Sequence, residues 1–78
     1  MERDEIYAIL QKNTGEVLSI DPETVPKQGR LVDLGANSID RTEIAMMTME
    51  ALGIRASPME LAKVDTIEGL VNFLHEKT

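Results

Sequence analysis

Ser38 is the residue whose setting best suits it for chemistry. It stands in the run Asp33-Leu34-Gly35-Ala36-Asn37-Ser38-Ile39-Asp40, after a loop punctuated by Pro22, Pro26 and Gly29. It also opens the best amphipathic stretch of the chain. A hydroxyl at a helix N-terminus faces unpaired backbone N–H groups and the positive end of the helix dipole, a setting that favours an attached phosphate. The chain holds almost nothing with which to activate that hydroxyl itself. Nucleophilic catalysis by serine needs a base within hydrogen-bond reach and a third group to orient it. The only histidine, His75, falls in the last turn of the last predicted helix, where the dipole alone favours a cation. On helical grammar a plain N-cap is the commoner role for such a serine. The other reading is a hydroxyl that a different enzyme modifies.

Other chemistries fit less well. Asp33, Asn37, Asp40 and Glu43 offer oxygen ligands in one neighbourhood, but their spacing does not match a helix–loop–helix calcium loop. The isolated glycines match neither the phosphate-binding P-loop nor the dinucleotide fingerprint. The absence of cysteine removes disulfides, thiolate zinc sites and a cysteine nucleophile together. The sequence therefore predicts no catalytic residue and no metal site.

The rest of the composition describes a holder. Seventy-eight residues make one domain, residues 1–78, with one small core and no deep cleft. Hydrophobic residues make up 42 %, too many for a disordered chain. Only Tyr7 and Phe73 are aromatic, so aliphatic side chains and five methionines must fill the core. Fourteen acidic residues against eight basic ones leave a net charge of −6. That sign repels nucleic acid and anionic membranes and suits partners with basic patches. No apolar run approaches the ~20 residues of a membrane span. The start, Met1-Glu2-Arg3-Asp4-Glu5, is too charged for a signal peptide. A soluble, cytoplasmic monomer is the expectation.

The elements that position Ser38 can be read from periodicity and caps. Ile6, Ile9, Leu10, Val17 and Leu18 recur at helical intervals and predict a helix over about 3–18, with Asn13, Thr14 and Gly15 weakening its middle. Residues 19–37 read as a long loop, pinned to the core by Leu31, Val32 and Leu34. A second helix spans about 38–52, capped by Asn37 or Ser38. Its buried face is predicted to be Ile44, Ala45, Thr48, Met49, Ala51 and Leu52. Asp40, Glu43 and Glu50 lie opposite, flanked by Ile39, Met46 and Met47 as an apolar patch bordering charge. Ser57-Pro58-Met59-Glu60 starts a short third helix, about 58–63. Asp65-Thr66-Ile67-Glu68 repeats that start signal, and Ile67, Leu70, Val71 and Leu74 give the last helix, about 66–77, a core stripe. The fold predicted is an all-α four-helix bundle.

The run from Leu34 to Asp40, with Glu43 and Ile44 following, resembles the prosthetic-group attachment motif of acyl carrier proteins. That signature reads Gly-x-Asp-Ser-Leu with a downstream Glu-Leu pair. Gly35, Ser38, Glu43 and Ile44 occupy the matching positions here, while Asn37 replaces the aspartate and Ile39 the leucine. Both replacements keep size and capping ability, and they bear on which transferase acts. The resemblance extends along the whole chain, because length, acidity and helix order also agree.

What the resemblance implies is a non-catalytic carrier. A phosphopantetheinyl transferase would move 4′-phosphopantetheine from coenzyme A onto Ser38, and the arm's thiol would hold an acyl group as a thioester. Partner recognition would fall to Asn37, Ile39, Asp40, Arg41, Glu43, Met46, Met47 and Glu50. The run Asn-Ser-Ile-Asp-Arg, the Glu-Ile pair and the methionines look like the discrete carriers of polyketide β-branching cassettes. Those act beside a hydroxymethylglutaryl-synthase-like enzyme and donate an acetyl or similar short unit; a ketosynthase or acyltransferase is the other partner class. Arg41 and the sparse acids of the second helix would repel the wrong partners. The rivals within the class are a fatty-acid carrier and an aminoacyl carrier. The rival outside it is a small helical interaction domain that uses the Ile39/Met46/Met47 patch without a prosthetic group.

Overall fold

The computed structural model describes residues 2–64 and 66–78, and it is all-α: no strand occurs among the described residues. Four helices run over Arg3–Leu18 (α1), Ser38–Leu52 (α2), Pro58–Ala62 (α3) and Ile67–Lys77 (α4). The expected order holds, and all four helices match their expected bounds to within a residue. The third helix ends at Ala62, with Lys63 as its C-cap, one residue short of the expected end. Thr66 caps α4 rather than joining it, accepting from the Gly69 N–H at 2.9 Å. Asp65, the other part of that start signal, lies outside the described residues.

The core is aliphatic, as composition requires. Ile6 and Leu10 of α1 cluster with Ile44 and Met49 of α2 and with Ile67, Leu70, Val71 and Leu74 of α4, and Ala45 is buried as well. Ile9, Val17, Leu18 and Leu52 are half-buried at its margin. Ala51 is exposed despite lying on the same angular stripe as Ile44, so the covered face of α2 stops short of its last turn.

The supposedly weak middle of α1 is in fact its most tightly constrained part. Asn13, Thr14 and Gly15 are all buried. A Cβ on Gly15 would sit 2.8 Å from the Ile20 carbonyl oxygen and 2.8 Å from Pro22 Cγ. Glycine there lets the chain fold back over α1 as it leaves the helix. The Ser19 and Ile20 N–H groups both bond the Gly15 carbonyl in that turn. Gly15→Ala should therefore destabilise. Its helix-propensity gain of up to about 1 kcal/mol is outweighed by overpacking of about 1–3 kcal/mol, because the neighbour is backbone that cannot swing aside. Urea denaturation measures the difference, and a more stable variant would contradict the account.

Asn13 and Thr48 form a buried pair across α1 and α2. The Asn13 Nδ2 donates to Thr48 Oγ1 at 3.0 Å, and Thr48 Oγ1 donates to the Ile44 carbonyl at 2.8 Å. Thr48→Val keeps the shape but strands the Asn13 amide. A cost of about 1–3 kcal/mol is expected, and pairing it with Asn13→Leu should recover most of it. A double-mutant cycle read by chemical denaturation checks both statements.

The long loop is ordered by two 3-10 turns, Pro22–Thr24 and Leu31–Leu34. Between them Val25 is buried, and its carbonyl accepts hydrogen bonds from the Tyr7 hydroxyl and, at 3.2 Å, the Gln11 amide. An isolated antiparallel bridge pairs Arg30 with Thr66, and the Ile67 N–H donates to the Gly29 carbonyl at 2.8 Å. The loop is thus tied to α1 at one end and to α4 at the other. Leu31 is buried and Leu34 half-buried, but Val32 is 48 % exposed, contrary to its expected role as a pin. A turn with three residues per revolution presents only one of its sides to the core.

The short α3 is held by its own capping box, with Ser57 and Glu60 bonded reciprocally, and by Lys77, whose Nζ lies 3.6 Å from Glu60 Oε1. The Ser57 N–H and then the Lys77 ammonium hold the Glu60 carboxyl below its ordinary range. A lowered folded-state value means that this tie between α3 and α4 is intact at neutral pH and is lost as pH falls through that value.

Candidate functional site

Three local devices build the start of α2. Gly35 takes φ 97°, in the left-handed region, and closes the Leu31–Leu34 turn with its N–H on the Val32 carbonyl at 3.1 Å. A built Cβ would meet nothing there, so the backbone angle rather than space calls for glycine. Ala36 follows, buried, and sets the approach of the chain to the helix. Asn37 then caps α2. Its Oδ1 accepts from the Asp40 N–H at 2.8 Å, and Asp40 Oδ2 accepts from the Asn37 N–H at 3.3 Å.

That reciprocal box decides between the two candidate caps. Asn37 is the N-cap, and Ser38 is the first helical residue. The Ser38 carbonyl accepts from Thr42 Oγ1 at 2.9 Å, while its side chain is exposed and takes no part in the cap. A phosphoryl group on this hydroxyl fits the surroundings. The N–H groups of Ser38 and Ile39 come too early in the helix to have carbonyl partners within it. The helix dipole favours negative charge at this end. The Ser38 side chain faces solvent, so a tethered arm can leave directly.

Ser38 also forms one end of an open groove of about 600 Å³ along α2, lined by Ile39, Thr42, Glu43, Met46, Met47 and Glu50. Ile39 is 74 % and Met46 56 % exposed, so the groove is apolar in its middle, with Glu43 and Glu50 exposed beside them. Of the residues expected to meet partners, Ile39, Glu43, Met46, Met47 and Glu50 share this groove with Ser38. Asn37 and Asp40 are occupied by the cap, and Arg41 is half-buried and outside the groove lining. Thr42 went unnoticed in the sequence, although its i+4 spacing from Ser38 places it on the same face.

His75 lies in the last turn of α4, half-buried, and no hydrogen bond joins it to Ser38 among the described residues. Among those residues no group of three or more histidine, aspartate or glutamate side chains is placed to hold a metal ion. No described helix is long and apolar enough to cross a membrane.

The chain matches the phosphopantetheine attachment site family over residues 8–74. The polyketide biosynthesis acyl-carrier-protein AcpK of Bacillus subtilis is 36 % identical to it over 78 residues, covering 99 % of this chain and 95 % of that one. The acyl carrier protein of Rubrobacter xylanophilus is 34 % identical over 77 residues, covering 97 % and 95 %. That of Thermotoga maritima is 28 % identical over 76 residues, covering 96 % and 94 %. Set beside an exposed serine at the head of α2, these matches show that the chain belongs to the acyl carrier proteins, which carry acyl groups on a covalently attached 4′-phosphopantetheine arm, work with a phosphopantetheinyl transferase and biosynthetic enzymes, and catalyse nothing themselves.

Proposed function

We propose that Ser38 is the attachment point of the arm and that residues 1–78 act as one carrier domain. We further propose that the protein is the donor carrier delivering an acetyl or other short acyl unit in polyketide β-branching. The observation that carries the attachment is the division of labour at the start of α2, where Asn37 serves the helix and leaves the Ser38 hydroxyl exposed and uncommitted. Ser38 Oγ supplies the nucleophile for transfer from coenzyme A. A bond from Oγ to phosphorus forms, the phosphoanhydride breaks and the adenosine bisphosphate portion leaves; the transferase supplies the base. The arm, once bound, offers a thiol for the thioester. The chain's own part is to hold the phosphodiester at a favourable helix end and to present the cargo beside the α2 groove.

The polyketide role is supported by likeness to AcpK over nearly the whole of both chains. Arg41 and the few acids of α2 add to it by discouraging carriers' other partners. A hydroxymethylglutaryl-synthase-like enzyme, with a ketosynthase or acyltransferase, is the partner set that this reading requires. A general fatty-acid carrier is the second reading, favoured by the likeness to the Rubrobacter and Thermotoga proteins.

The test has two stages. Incubation with a promiscuous transferase and coenzyme A should add one phosphopantetheinyl group by intact mass, mapped by peptide mass spectrometry to Ser38. The acetylated protein is then offered to a hydroxymethylglutaryl-synthase-like enzyme and to a fatty-acid ketosynthase. Faster transfer to the first supports the donor role; preference for the second assigns the fatty-acid role. Glu43→Lys and Glu50→Lys should slow that transfer at low salt, and raising the ionic strength should shrink the gap, as for charges at the rim of an interface. Equal rates at low salt would remove α2 from the docking surface.

A further inference from the structure

We propose that Asn37 is a binding residue for the phosphodiester of the arm and donates to it through Nδ2. The inference rests on attachment at Ser38. The capping box fixes which atom of the Asn37 amide is already engaged. The Asp40 N–H needs an acceptor, so it takes Oδ1, at 2.8 Å. Nδ2 is left without a hydrogen-bond partner among the described residues. It belongs to an exposed side chain one residue before Ser38.

The box also settles which main-chain donors remain at this helix end. The Asn37 N–H goes to Asp40 Oδ2 at 3.3 Å, and the Asp40 N–H to Asn37 Oδ1. The Arg41 N–H begins the helical ladder on the Asn37 carbonyl at 3.0 Å. The Ser38 and Ile39 N–H groups are the two that come too early for a carbonyl partner within the helix. A phosphodiester bonded to Ser38 Oγ carries a negative charge, shared by oxygens that accept hydrogen bonds. Nδ2 adds a side-chain donor to the two main-chain ones, and bonds to an ionised acceptor are the strong kind. An aspartate at position 37 would serve the cap equally, because capping uses a single acceptor oxygen. Its second oxygen would share the negative charge and would lie beside the phosphodiester as a like charge. The Asp40 carboxylate is present in either case, so it does not alter the comparison. Asparagine in place of aspartate is therefore neutral for the helix and favourable for the arm.

The experiment loads nitrogen-15-labelled protein with phosphopantetheine from coenzyme A, under reducing conditions, and confirms the product by intact mass. On loading, the Asn37 side-chain amide resonances should move downfield, together with the Ser38 or Ile39 main-chain amide. The second readout is the change in melting temperature from the unloaded to the loaded form. It is compared in the parent, Asn37→Asp and Asn37→Ser, and both substitutions keep a capping acceptor. At low salt the change should be about 2–8 °C less favourable in Asn37→Asp than in the parent, and the gap should narrow as salt rises. Asn37→Ser removes Nδ2 without adding charge and should also fall below the parent. It keeps the comparison intact if the aspartate variant loads poorly. Unmoved Asn37 side-chain resonances overturn the proposal. So does an equal change in the parent and both variants. A serine variant that matches the parent overturns it too, since added charge alone then explains the aspartate result. A parent protein that gains no mass at Ser38 overturns the attachment and this inference together.

Discussion

Ser38→Ala should abolish phosphopantetheine loading completely while moving the melting temperature by no more than about 2 °C. Loss of the hydroxyl removes the only atom proposed to take the arm. Stability should hold because the capping hydrogen bonds belong to Asn37 and Asp40, at 2.8 and 3.3 Å, and Ser38 makes neither. Alanine is also the best helix former, so the substituted position loses nothing by propensity. Asn37→Ala should do the reverse. Removing an N-cap costs about 0.5–2 kcal/mol, enough to lower the melting temperature by several degrees in a domain this small. The serine remains, so loading persists. Intact mass and circular dichroism on the two variants separate the roles. A Ser38→Ala protein that still gains the group, or that melts as early as Asn37→Ala, would contradict the assignment.

Leu74→Ala should have the largest effect on stability. Leu74 is fully buried on α4, packed in the cluster with Ile6, Leu10 and Ile44. Truncation removes its transfer free energy and leaves a cavity, together about 2–5 kcal/mol. A domain of this length has about 4–12 kcal/mol in total, at 0.05–0.15 kcal/mol per residue. The melting temperature should fall by roughly 8–40 °C, at about 4–8 °C per kcal/mol for a domain of this size. Glu76→Ala, two residues on and exposed, should stay within about 0.5 kcal/mol of the parent. A small shift for Leu74→Ala would mean that α4 is not part of one cooperative core.

The parts of this fold that were legible in the sequence are those set by local rules. The apolar stripe Ile67, Leu70, Val71 and Leu74 was fully readable because a period of 3.6 shows within eleven residues, and all four are buried. Ser57-Pro58-Met59-Glu60 was readable because the capping box is a short-range signal. The start of α2 was readable as a place but not as a set of roles. Asn37 and Ser38 are both good caps, and the reciprocal bond with Asp40 decides between them. Contacts across the bundle left no local trace. Asn13 meets Thr48 over 35 residues of sequence, and Gly15 reads as a helix breaker until Pro22 is found against it. Val25 belongs to a loop by composition and to the core by position. The α2 groove was half legible: Ile39, Glu43, Met46, Met47 and Glu50 follow from angular position, whereas the withdrawal of Asp40 into the cap does not.

Tyr7 turns the anchoring of the long loop into an optical signal. It is the only tyrosine, and the chain has no tryptophan, so near-ultraviolet absorbance reports on this one phenol. Burial raises its pKa above the ordinary value of about 10, and its hydroxyl proton is held by the Val25 carbonyl. Phenolate appearance is therefore delayed for as long as the loop sits on α1, and the anchor is lost as pH rises through the raised value. A substitution that lifts the loop from α1, such as Val25→Ala, would restore ordinary ionisation, so an alkaline spectral titration of the protein alone would reveal that displacement without any added label.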